Sequence, residues 1–363
     1  KAGMSEALFK FAGACLGHRK GGVAMAAVGA CAGFGAICGS SLATAATMGK
    51  VALPELRRLG YSGALSTGAL AAGGTLGILI PPSVILIIYS ILTEQNIAKM
   101  FLCAFIPGLL AALGYIVAIS LYVRLNQNSG PIKDRVPWKD RMYLFKNIWH
   151  IILIFVVMIG GIYMGFFTPT EGAAIGAAGT GIIAITNKSF NIKSFIEVIE
   201  STAVTTGMIF FVLLGAEFFN SFIALTQLPN LLTEFSKENN LEPLIVVACI
   251  MILYLFLGCL MDSLAMILLT IPVFFPLVMS LDFGLSPEET AIWFGILTLV
   301  VVEVGLITPP VGLNVFIINK MAKDVPIIDT FKGVIPFLLS DIIRIILLFS
   351  FPSITLIMLW AFY

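Results

Sequence analysis

The sequence predicts an all-α polytopic membrane protein made of two inverted repeats, each with a re-entrant helical hairpin and a Pro-Pro-broken helix. Of its 363 residues, 59% are apolar and 11% are charged, whereas a soluble domain carries about 25% charged residues. Long uncharged runs, several of them near the roughly 20 residues that span a bilayer, separate these charges. The two halves of the chain also share motifs at a nearly constant spacing.

Charge and cysteine content exclude several other classes of protein. The net charge is +1, and the chain has no basic run of the kind that binds nucleic acid. The six cysteines lie in or beside apolar runs, without a CxxC or Cys/His grouping. We therefore expect no nucleic-acid partner, no transition metal and no bound cofactor.

The first half of the chain is predicted to begin with an amphipathic, cytoplasmic lead-in helix at 1–20, which lacks the features of a signal peptide. The next uncharged run, 21–49, is too long for one span and too short for two. A re-entrant hairpin with a break at Gly39-Ser40-Ser41 resolves this, because irregular backbone is tolerated where protein surrounds it. The first repeat, 21–123, is accordingly divided into a hairpin at 21–56, a broken helix at 61–93 and a span at 100–123.

A basic cytoplasmic linker at 124–146 is predicted to separate the halves, and scaffold or arm helices of the second repeat are expected at 147–233. Within them, Thr168-Pro169-Thr170-Glu171 predicts a capping box at a helix start. The last segment of the chain forms a span if Asp341 and Arg344 lie near its cytoplasmic half. The core of the second repeat, 234–363, thus comprises a hairpin at 243–281, a broken helix at 289–320 and a span at 331–363.

Internal repetition is the strongest pattern in the sequence. Ser41-Leu42-Ala43 recurs 222 residues later as Ser263-Leu264-Ala265. The segment GILIPPSVILII recurs as GLITPPVGLNVF with a spacing of 228, which carries Gly77 onto Gly305 and Pro81-Pro82 onto Pro309-Pro310. The spacing reaches 229 where Pro107 corresponds to Pro336. The chain therefore contains two homologous halves.

Charge around the hairpins predicts that the halves are inverted. Bases dominate beside the first hairpin, and acids dominate beside the second. Because cytoplasmic loops are enriched in Lys and Arg, the first hairpin is expected to open to the cytoplasm and the second to the other side. The residues concerned are His18, Arg19, Lys20, Lys50, Arg57 and Arg58 for the first, and Glu234, Glu238, Glu242, Asp282, Glu288 and Glu289 for the second.

Each Pro-Pro pair removes the donors of two helical hydrogen bonds. Pro81 has no N–H, so the carbonyl of Gly77 loses its helical partner, and the next proline frees the next carbonyl. In the second repeat the same reasoning applies to Pro309 and to the carbonyls of Gly305 and Leu306. Orphaned carbonyls of this kind are hard oxygen ligands suited to an alkali cation, and inverted repeats with broken helices are typical of secondary transporters.

The hairpin tips add further oxygen atoms. Ser40 and Ser41 place hydroxyls at the first tip, where a half-helix starting near Leu42 would point its positive end at a substrate carboxylate. The second tip, from Gly258 to Ser263, has Asp262 where the first has Ser40, and an intramembrane carboxylate is by default a candidate for binding a cation or a proton. Further hydroxyls lie beside the tips and breaks, on Thr44, Ser83, Ser263 and Thr308.

Structural roles remain open for the same residues. A Pro-Pro pair can simply kink a helix. Ser40 and Ser41 can serve close helix packing, and Asp262 can cap the helix that follows it. Glu303, two residues before Gly305, can orient the break or pair with a basic group at an interface.

Four segments together resemble the large membrane subunit of tripartite ATP-independent periplasmic (TRAP) transporters, over nearly the whole chain. They are GFGAICGSSLATAATMGKVALPELRRLGY, GTLGILIPPSVILIIYSILT, GIYMGFFTPTEGAAIGA and EVGLITPPVGLNVFII. The resemblance implies a fold of the ion-transporter superfamily type, an elevator mechanism, Na⁺ coupling and a bacterial inner-membrane location. It also implies two partners, a small membrane (Q) subunit and a periplasmic substrate-binding (P) protein.

Family analogy also assigns site residues and a longer chain. Sodium sites are expected where the Ser40-Ser41 tip meets the Gly77–Pro81 break, and where Gly258, Asp262 and Ser263 meet the Gly305–Thr308 break. Members of the family carry further N-terminal spans ahead of the position of Lys1, so the chain is expected to be N-terminally incomplete. Substrate-binding candidates are Ser40, Ser41, Thr44, Ser83, Ser263 and Thr308.

The expected function is Na⁺-coupled import of an organic carboxylate, of sialic acid or C4-dicarboxylate type, handed over by the periplasmic protein. A stand-alone carrier of the same superfamily, coupled to Na⁺ or H⁺, is the alternative that the sequence separates least well. An intramembrane hydrolase would need a Ser/His pair or two membrane Asp residues. Asp262 is the only acid between 243 and 281, and neither histidine lies in an apolar run, so no catalytic residue is assigned and the protein is not expected to be an enzyme.

Overall fold

The computed structural model describes residues 3–126, 129–187 and 190–363. The residues outside these ranges fall at the start of the predicted lead-in helix (1–20), in the predicted linker (124–146) and in the predicted arm region (147–233). The described residues form no strand and fold into seventeen α-helices. These are α1 (Met4–Leu16), α2 (Gly22–Cys38), α3 (Ser41–Arg58), α4 (Gly63–Leu79), α5 (Val84–Leu92), α6 (Ile97–Leu125), α7 (Trp138–Lys146), α8 (Trp149–Tyr163), α9 (Pro169–Thr186), α10 (Ile192–Leu225), α11 (Leu228–Glu238), α12 (Pro243–Gly258), α13 (Ser263–Met279), α14 (Pro287–Gly305), α15 (Leu313–Met321), α16 (Ile327–Ser350) and α17 (Pro352–Phe362).

Two helical hairpins stand at equivalent places in the two halves. The first, α2–α3, turns at Gly39, whose φ of 65° is the left-handed conformation that glycine adopts without strain. Ser40 then caps α3, because its side chain accepts a hydrogen bond from the backbone N–H of Ala43. The second hairpin, α12–α13, has Asp262 in the same role, with its carboxylate accepting from the N–H of Leu264. The residues aligned by the sequence repeat thus cap equivalent helices.

Each hairpin is followed by a helix that is interrupted at its Pro-Pro pair. In the first repeat α4 ends at Leu79 and α5 begins at Val84, with a bend of 42° between them. In the second repeat α14 ends at Gly305 and α15 begins at Leu313. The second halves are exchanged between repeats, since α5 packs against α13 and α15 packs against α3 and α4. The two repeats therefore share one hydrophobic core.

Polar contacts at the two ends of the core define the orientation of the repeats. At one end, Lys99 pairs with Glu288 at 2.7 Å, beside the base of the second hairpin. At the other end, Arg57 at the base of the first hairpin pairs with Asp324, and the N–H of Lys133 donates to the carbonyl of Gly17 at 3.0 Å. The hairpins open to opposite ends, which confirms the inverted repeats. The assignment of the Arg57 end to the cytoplasm stays a prediction.

By length and composition, three of the described helices are apolar and long enough to cross a membrane: α6, α10 and α16. The count rises to five if α4–α5 and α7–α8, which bend by 42° and 52°, each form one span. The hairpin helices are shorter, as expected for re-entrant arms.

The C-terminal segment differs from the prediction of one span at 331–363. A helix ends at Ser350 and another begins at Pro352, because the residue before a proline is driven out of the helical conformation, and Phe351 has a non-helical φ of -129° and ψ of 78°. Asp341 and Arg344, which the sequence analysis places near the cytoplasmic half of this span, are buried inside the core, at 1% and 5% exposure. Charged side chains reach that depth because they pair with each other, as described below.

The arm helices lie beside the core rather than within it. Helices α8 and α9 pack against each other and reach the core through α6, while α10 and α11 reach it through α13. The predicted capping box opens α9: Thr168 accepts from the N–H of Glu171, and the Glu171 carboxylate accepts from the N–H of Thr168 at 2.8 Å. That prediction is confirmed.

Candidate ion and substrate site

The first hairpin tip lies directly against the break of α4. Gly35 and Gly77 touch through their backbones, so a Cβ placed on Gly35 would lie 2.5 Å from the Cα of Gly77. A Cβ on Gly77 would in turn lie 2.8 Å from the carbonyl oxygen of Ser40 and would overlap the hydroxyl of Thr44. Only glycine at these positions allows two backbones to come so close. We call this contact the first junction, made of Gly35, Ser40, Ser41, Thr44 and Gly77.

Several oxygen atoms converge on the first junction. Ser41 is fully buried, and its hydroxyl has no hydrogen-bond partner among the described residues. The hydroxyl of Ser40 accepts only a long bond, 3.4 Å, from Ala43. Within the same described set, no hydrogen-bond donor faces the carbonyls of Gly77 and Ile78, as predicted from the prolines that follow. A buried polar group without a partner is costly, so these oxygens are available to a cation.

The remaining residues of the first break pack around the same tip. The backbone N–H of Val84 donates to the carbonyl of Gly39 at 3.5 Å, and a Cβ on Gly39 would lie 2.9 Å from the carbonyl oxygen of Pro82. Ser83 is buried and caps α5 by accepting from the N–H of Leu86 at 3.3 Å. Pro81, also buried, separates this cap from Gly77. The structure therefore brings together every residue predicted for the first site.

The second junction repeats this geometry in the other half of the chain. A Cβ on Gly305 would lie 2.5 Å from the carbonyl carbon of Gly258, and a Cβ on Gly258 would lie 3.1 Å from the carbonyl oxygen of Val302. Asp262 and Ser263 follow at the tip, where one carboxylate oxygen of Asp262 accepts a hydrogen bond from the N–H of Leu264 at 3.0 Å. We define the second junction as Gly258, Asp262, Ser263, Gly305 and Thr308.

One prediction about the second junction is wrong. The carbonyls of Gly305 and Leu306 do lose their helical donors, but they are not orphaned. The N–H of Thr308 donates to Gly305 at 3.1 Å, and the N–H of Asn314 donates to Leu306 at 3.0 Å. Because the chain turns at once instead of running on, the N–H of Thr308 inside the break and the N–H of Asn314 after it reach these oxygens. The hydroxyl of Thr308 likewise donates to the carbonyl of Val304 at 2.6 Å.

A buried amide that sequence reasoning did not single out lies between the two repeats. Asn314, on α15, is fully buried and donates to the carbonyl of Ala71 on α4 at 3.3 Å. Its side-chain oxygen has no partner among the described residues. A Cβ on Gly74 would lie 3.1 Å from the amide nitrogen of Asn314, so the small residue makes room for it. An Asn within the uncharged run 304–319 was the available signal.

Sequence reasoning named Glu303, Asp341 and Arg344 separately but did not bring them together with Thr75 and Tyr115, in a buried set of polar side chains between α4, α6, α14 and α16. The hydroxyl of Tyr115 donates to Asp341 at 2.8 Å and lies 3.0 Å from the hydroxyl of Thr75. Arg344 pairs with Asp341 at 2.9 Å. Glu303 is 1% exposed, and neither of its carboxylate oxygens has a hydrogen-bond partner among the described residues. We call these five residues the polar centre: Thr75, Tyr115, Glu303, Asp341 and Arg344.

A cavity of about 650 Å³ opens beside the first junction. One wall is the tip and break of the first repeat, including Gly39 and Ser83, and the other wall is formed by α8 and α9, including Met158 and Thr180. Its lining is mostly apolar with a few hydroxyls, which suits a small organic ligand held by few polar groups. The cavity therefore lies between the packed core and the arm helices, next to the residues predicted for the first ion site.

Comparison with known proteins decides the family. Residues 1–354 match the family described as "Tripartite ATP-independent periplasmic transporter, DctM component". The chain belongs to this family. The resemblance of the sequence to TRAP large subunits is thus confirmed, and so is the location of the chain as a multi-pass protein of the bacterial inner membrane.

Individual TRAP permeases are similar along almost the whole chain. The C4-dicarboxylate TRAP transporter large permease protein DctM of Pseudomonas aeruginosa is 34% identical over 98% of this chain and 81% of its own length. The sialic acid TRAP transporter permease protein SiaT of Haemophilus influenzae is 33% identical over 97% of this chain, which spans 56% of SiaT. The sialic acid TRAP transporter large permease protein SiaM of Vibrio cholerae is 29% identical, with coverages of 98% and 82%.

A solved structure shares the fold. The crystal structure of the Alcanivorax borkumensis YdaH transporter matches with a TM-score of 0.63 and 14% identity, covering 96% of this chain and 83% of that one. At that identity the likeness concerns architecture alone, and it agrees with the predicted fold class.

Proposed function

We propose that this TRAP large permease is a Na⁺-coupled importer of an organic anion that a periplasmic binding protein delivers. The observation that carries the proposal is the pair of junctions, in which each hairpin tip meets the glycine before a Pro-Pro break. Inverted repeats with broken helices place substrate and coupling-ion sites at such meeting points. The unpartnered oxygens of the first junction, from Ser41, Gly77 and Ile78, fit a desolvated monovalent cation.

The sodium sites of this proposal are the two junctions. In the first, Ser40, Ser41 and the Gly77–Pro81 break supply hydroxyl and carbonyl oxygens. In the second, the free oxygen of Asp262 and the hydroxyl of Ser263 are the strongest ligands, because the carbonyls of Gly305 and Leu306 already accept backbone hydrogen bonds. Each Na⁺ that moves down a potential of 100 mV yields about 2.3 kcal/mol for transport.

For the substrate we propose an organic anion of C4-dicarboxylate or sialic acid type, because the similar permeases named above carry those substrates in their names. Positive half-helix ends at α3 and α13 and nearby hydroxyls can hold a carboxylate. The candidate contacts are Ser40, Ser41, Thr44, Ser83, Ser263 and Thr308. An isethionate TRAP permease of Oleidesulfovibrio alaskensis is 30% identical, so sulfonates belong in the same screen.

An elevator movement of the core against the arms is the proposed mechanism. Both junctions lie in one continuously packed core, whereas α8 and α9 touch that core at few places and leave a cavity beside the first tip. A rigid body that carries both sites can therefore slide relative to the arms. Ion binding orders both tips, the substrate completes the site, and the filled core then moves.

The family name describes a tripartite system, so we propose a small membrane subunit and a periplasmic substrate-binding protein as partners. The test is uptake into proteoliposomes that contain the permease and the small subunit, with the binding protein added outside. Replacing the Na⁺ gradient by K⁺ should abolish uptake, and undiminished uptake in K⁺ would refute Na⁺ coupling. Uptake that persists without the binding protein would favour the stand-alone carrier.

A matched pair of serine variants tests the first junction. Ser41→Ala removes a buried hydroxyl at the tip, whereas Ser66→Ala removes a buried, equally unpartnered hydroxyl from the body of α4. We expect Ser41→Ala to raise the Na⁺ concentration for half-maximal uptake about tenfold, the effect of roughly 1.4 kcal/mol, and Ser66→Ala to leave it unchanged. Equal shifts in both variants would remove Ser41 from the ion site.

A further inference from the structure

The polar centre lies where the two repeats meet, and its members correspond through the repeat. The spacing of 228 that carries Gly77 onto Gly305 also carries Thr75 onto Glu303. The spacing of 229 that carries Pro107 onto Pro336 also carries Tyr115 onto Arg344. The hydroxyls of Thr75 and Tyr115 in one half therefore correspond to the charged side chains of Glu303 and Arg344 in the other. Asp341 contacts both Tyr115 and Arg344.

Each half of the polar centre is tied closely to one junction. Thr75 lies two residues before Gly77, and Glu303 lies two residues before Gly305. The register of α14 and α16 is fixed where the indole N–H of Trp293 donates to the carbonyl of Leu348 at 2.9 Å. Because the two helices run in opposite directions at about 1.5 Å per residue, Glu303 is level with Asp341 to within about one helical turn.

The Thr75 hydroxyl can donate its proton to either of two acceptors, the carbonyl of Ala72 or the hydroxyl of Tyr115. Tyr115 has one hydroxyl proton, which it donates to Asp341 at 2.8 Å. The contact of 3.0 Å between Tyr115 and Thr75 then needs the proton of Thr75, but the Thr75 hydroxyl also lies 2.7 Å from the carbonyl of Ala72. Since a hydroxyl donates one proton, Thr75 can serve either its own helix or the polar centre. This is a two-state element one half-turn from the first junction.

We propose that the polar centre couples the two junctions, so that an ion at one raises the affinity of the other. The inference rests on the proposed Na⁺-coupled function. An ion held by the carbonyl of Gly77 fixes the last turn of α4 and selects one donor state of Thr75. A Tyr115 hydroxyl that accepts from Thr75 is a stronger donor to Asp341, so the choice reaches the Asp341–Arg344 pair. This pair lies level with Glu303 in the last turn of α14. Thr75, Tyr115 and Asp341 are thus positioning residues that never touch the ion.

The test removes one hydroxyl from the polar centre and compares it with a matched hydroxyl elsewhere. Tyr115→Phe breaks the link between Thr75 and Asp341. Tyr89→Phe is the control, because Tyr89 is equally buried and also bridges the repeats, donating to the carbonyl of Ala291 at 2.7 Å, but its partner is near the start of α14, far from the break. Both variants are measured in the complete transporter, by Na⁺ titration of uptake and by the rise of Tm with Na⁺.

For Tyr115→Phe we expect the Hill coefficient for Na⁺ to fall from about two to about one, and the half-saturating Na⁺ concentration to rise about fivefold. The maximal rate at saturating Na⁺ should stay within about twofold, because only coupling between sites is lost. Tyr89→Phe should keep the wild-type Hill coefficient. Thr75→Ser, which keeps the hydroxyl, should also keep it, whereas Thr75→Val should behave like Tyr115→Phe.

Three results would overturn the inference: an unchanged Hill coefficient in Tyr115→Phe, an equal loss in Tyr89→Phe, or a wild-type Hill coefficient of about one. In each of these the Na⁺ dependence of uptake persists, so the proposed function survives. If wild-type uptake does not depend on Na⁺ at all, the proposed function fails and the coupling fails with it. Should Tyr115→Phe not fold, the two Thr75 variants decide by the same readouts.

Discussion

The packed core and the arm helices are both built of apolar helices, but they differ in how much of each helix is buried by protein. From Thr290 to Gly305 every residue of α14 is buried, because other helices surround it. Helix α10 is on average as apolar as α14, yet only 6% of its most apolar stretch is buried. In a bilayer the tails of lipids are as apolar as leucine, so burial of apolar surface does not by itself hold helices together. What separates the two regions is how closely their backbones approach.

Glycine shows this difference most directly. In the core, Gly35, Gly77 and Gly305 each face another backbone at a distance that leaves no room for a Cβ. In α10, a Cβ on Gly207 would have no neighbour within 4 Å among the described residues. Small residues that admit close contact, together with buried polar pairs, are what stabilises helix association in lipid. The core is therefore the more closely packed of the two regions, as the proposed movement of the core against the arms requires.

The largest effect is expected from the buried ion pair of the core. Arg344→Met leaves Asp341 without its base, and removal of one partner from a buried pair costs about 3–5 kcal/mol. The double variant Arg344→Met/Asp341→Leu should cost less than the single one, since it removes an uncompensated charge. Chemical or thermal unfolding of the purified permease in detergent measures both. A double variant worse than the single one would show that the pair is held by packing rather than by charge.

The second effect uses one substitution in both regions. Gly77→Ala forces a methyl group into Ser40 and Thr44, and overpacking costs about 1–3 kcal/mol. Gly207→Ala adds the same methyl group in open space on a helix and should stabilise by about 0.5–1 kcal/mol. The difference in Tm between the two variants is the measurement. If both variants lose stability equally, the core is not more tightly packed than the arms.

Sequence reasoning found the first junction because its signals are local. A glycine four residues before a proline pair predicts a carbonyl without its helical donor, and serines at a break predict a helix start. The repeat shows that both patterns recur. The burial of the Asp341–Arg344 pair inside the core could not be predicted, because it depends on how α16 packs against α4 and α6, which no local pattern records. The carbonyls of Gly305 and Leu306 were misjudged for a related reason, since their new donors, the N–H groups of Thr308 and Asn314, depend on how the chain turns at the break.

A third prediction concerns the exposed surface of the arms. Phe211 on α10 is 78% exposed, whereas Phe294 on α14 is fully buried. Phe211→Ala should change the free energy of unfolding by no more than about 0.5 kcal/mol, and Phe294→Ala should cost about 3–5 kcal/mol through the cavity that it leaves. Unfolding of the isolated permease in detergent compares them. A large loss in Phe211→Ala would mean that α10 is held against the core more firmly than its exposure indicates.

The smallest effect is expected where the repeats meet outside the membrane-spanning helices. The Arg57 guanidinium holds the pKa of the Asp324 carboxyl below its ordinary value, mainly by hydrogen bonding. A carboxyl with a lowered pKa in the folded state stabilises the protein at neutral pH, and that contribution is lost as the pH falls from the ordinary value of about 4 through the lowered pKa of the folded state. Asp324→Asn should therefore lower Tm slightly at pH 7, and this difference should disappear as the pH falls through that lowered pKa. Asp329→Asn, which removes a pairing only with Lys332 on its own helix, is the control. Because Arg57 belongs to the first hairpin and Asp324 follows α15, equal pH profiles for the two variants would show that this contact does not tie one repeat to the other.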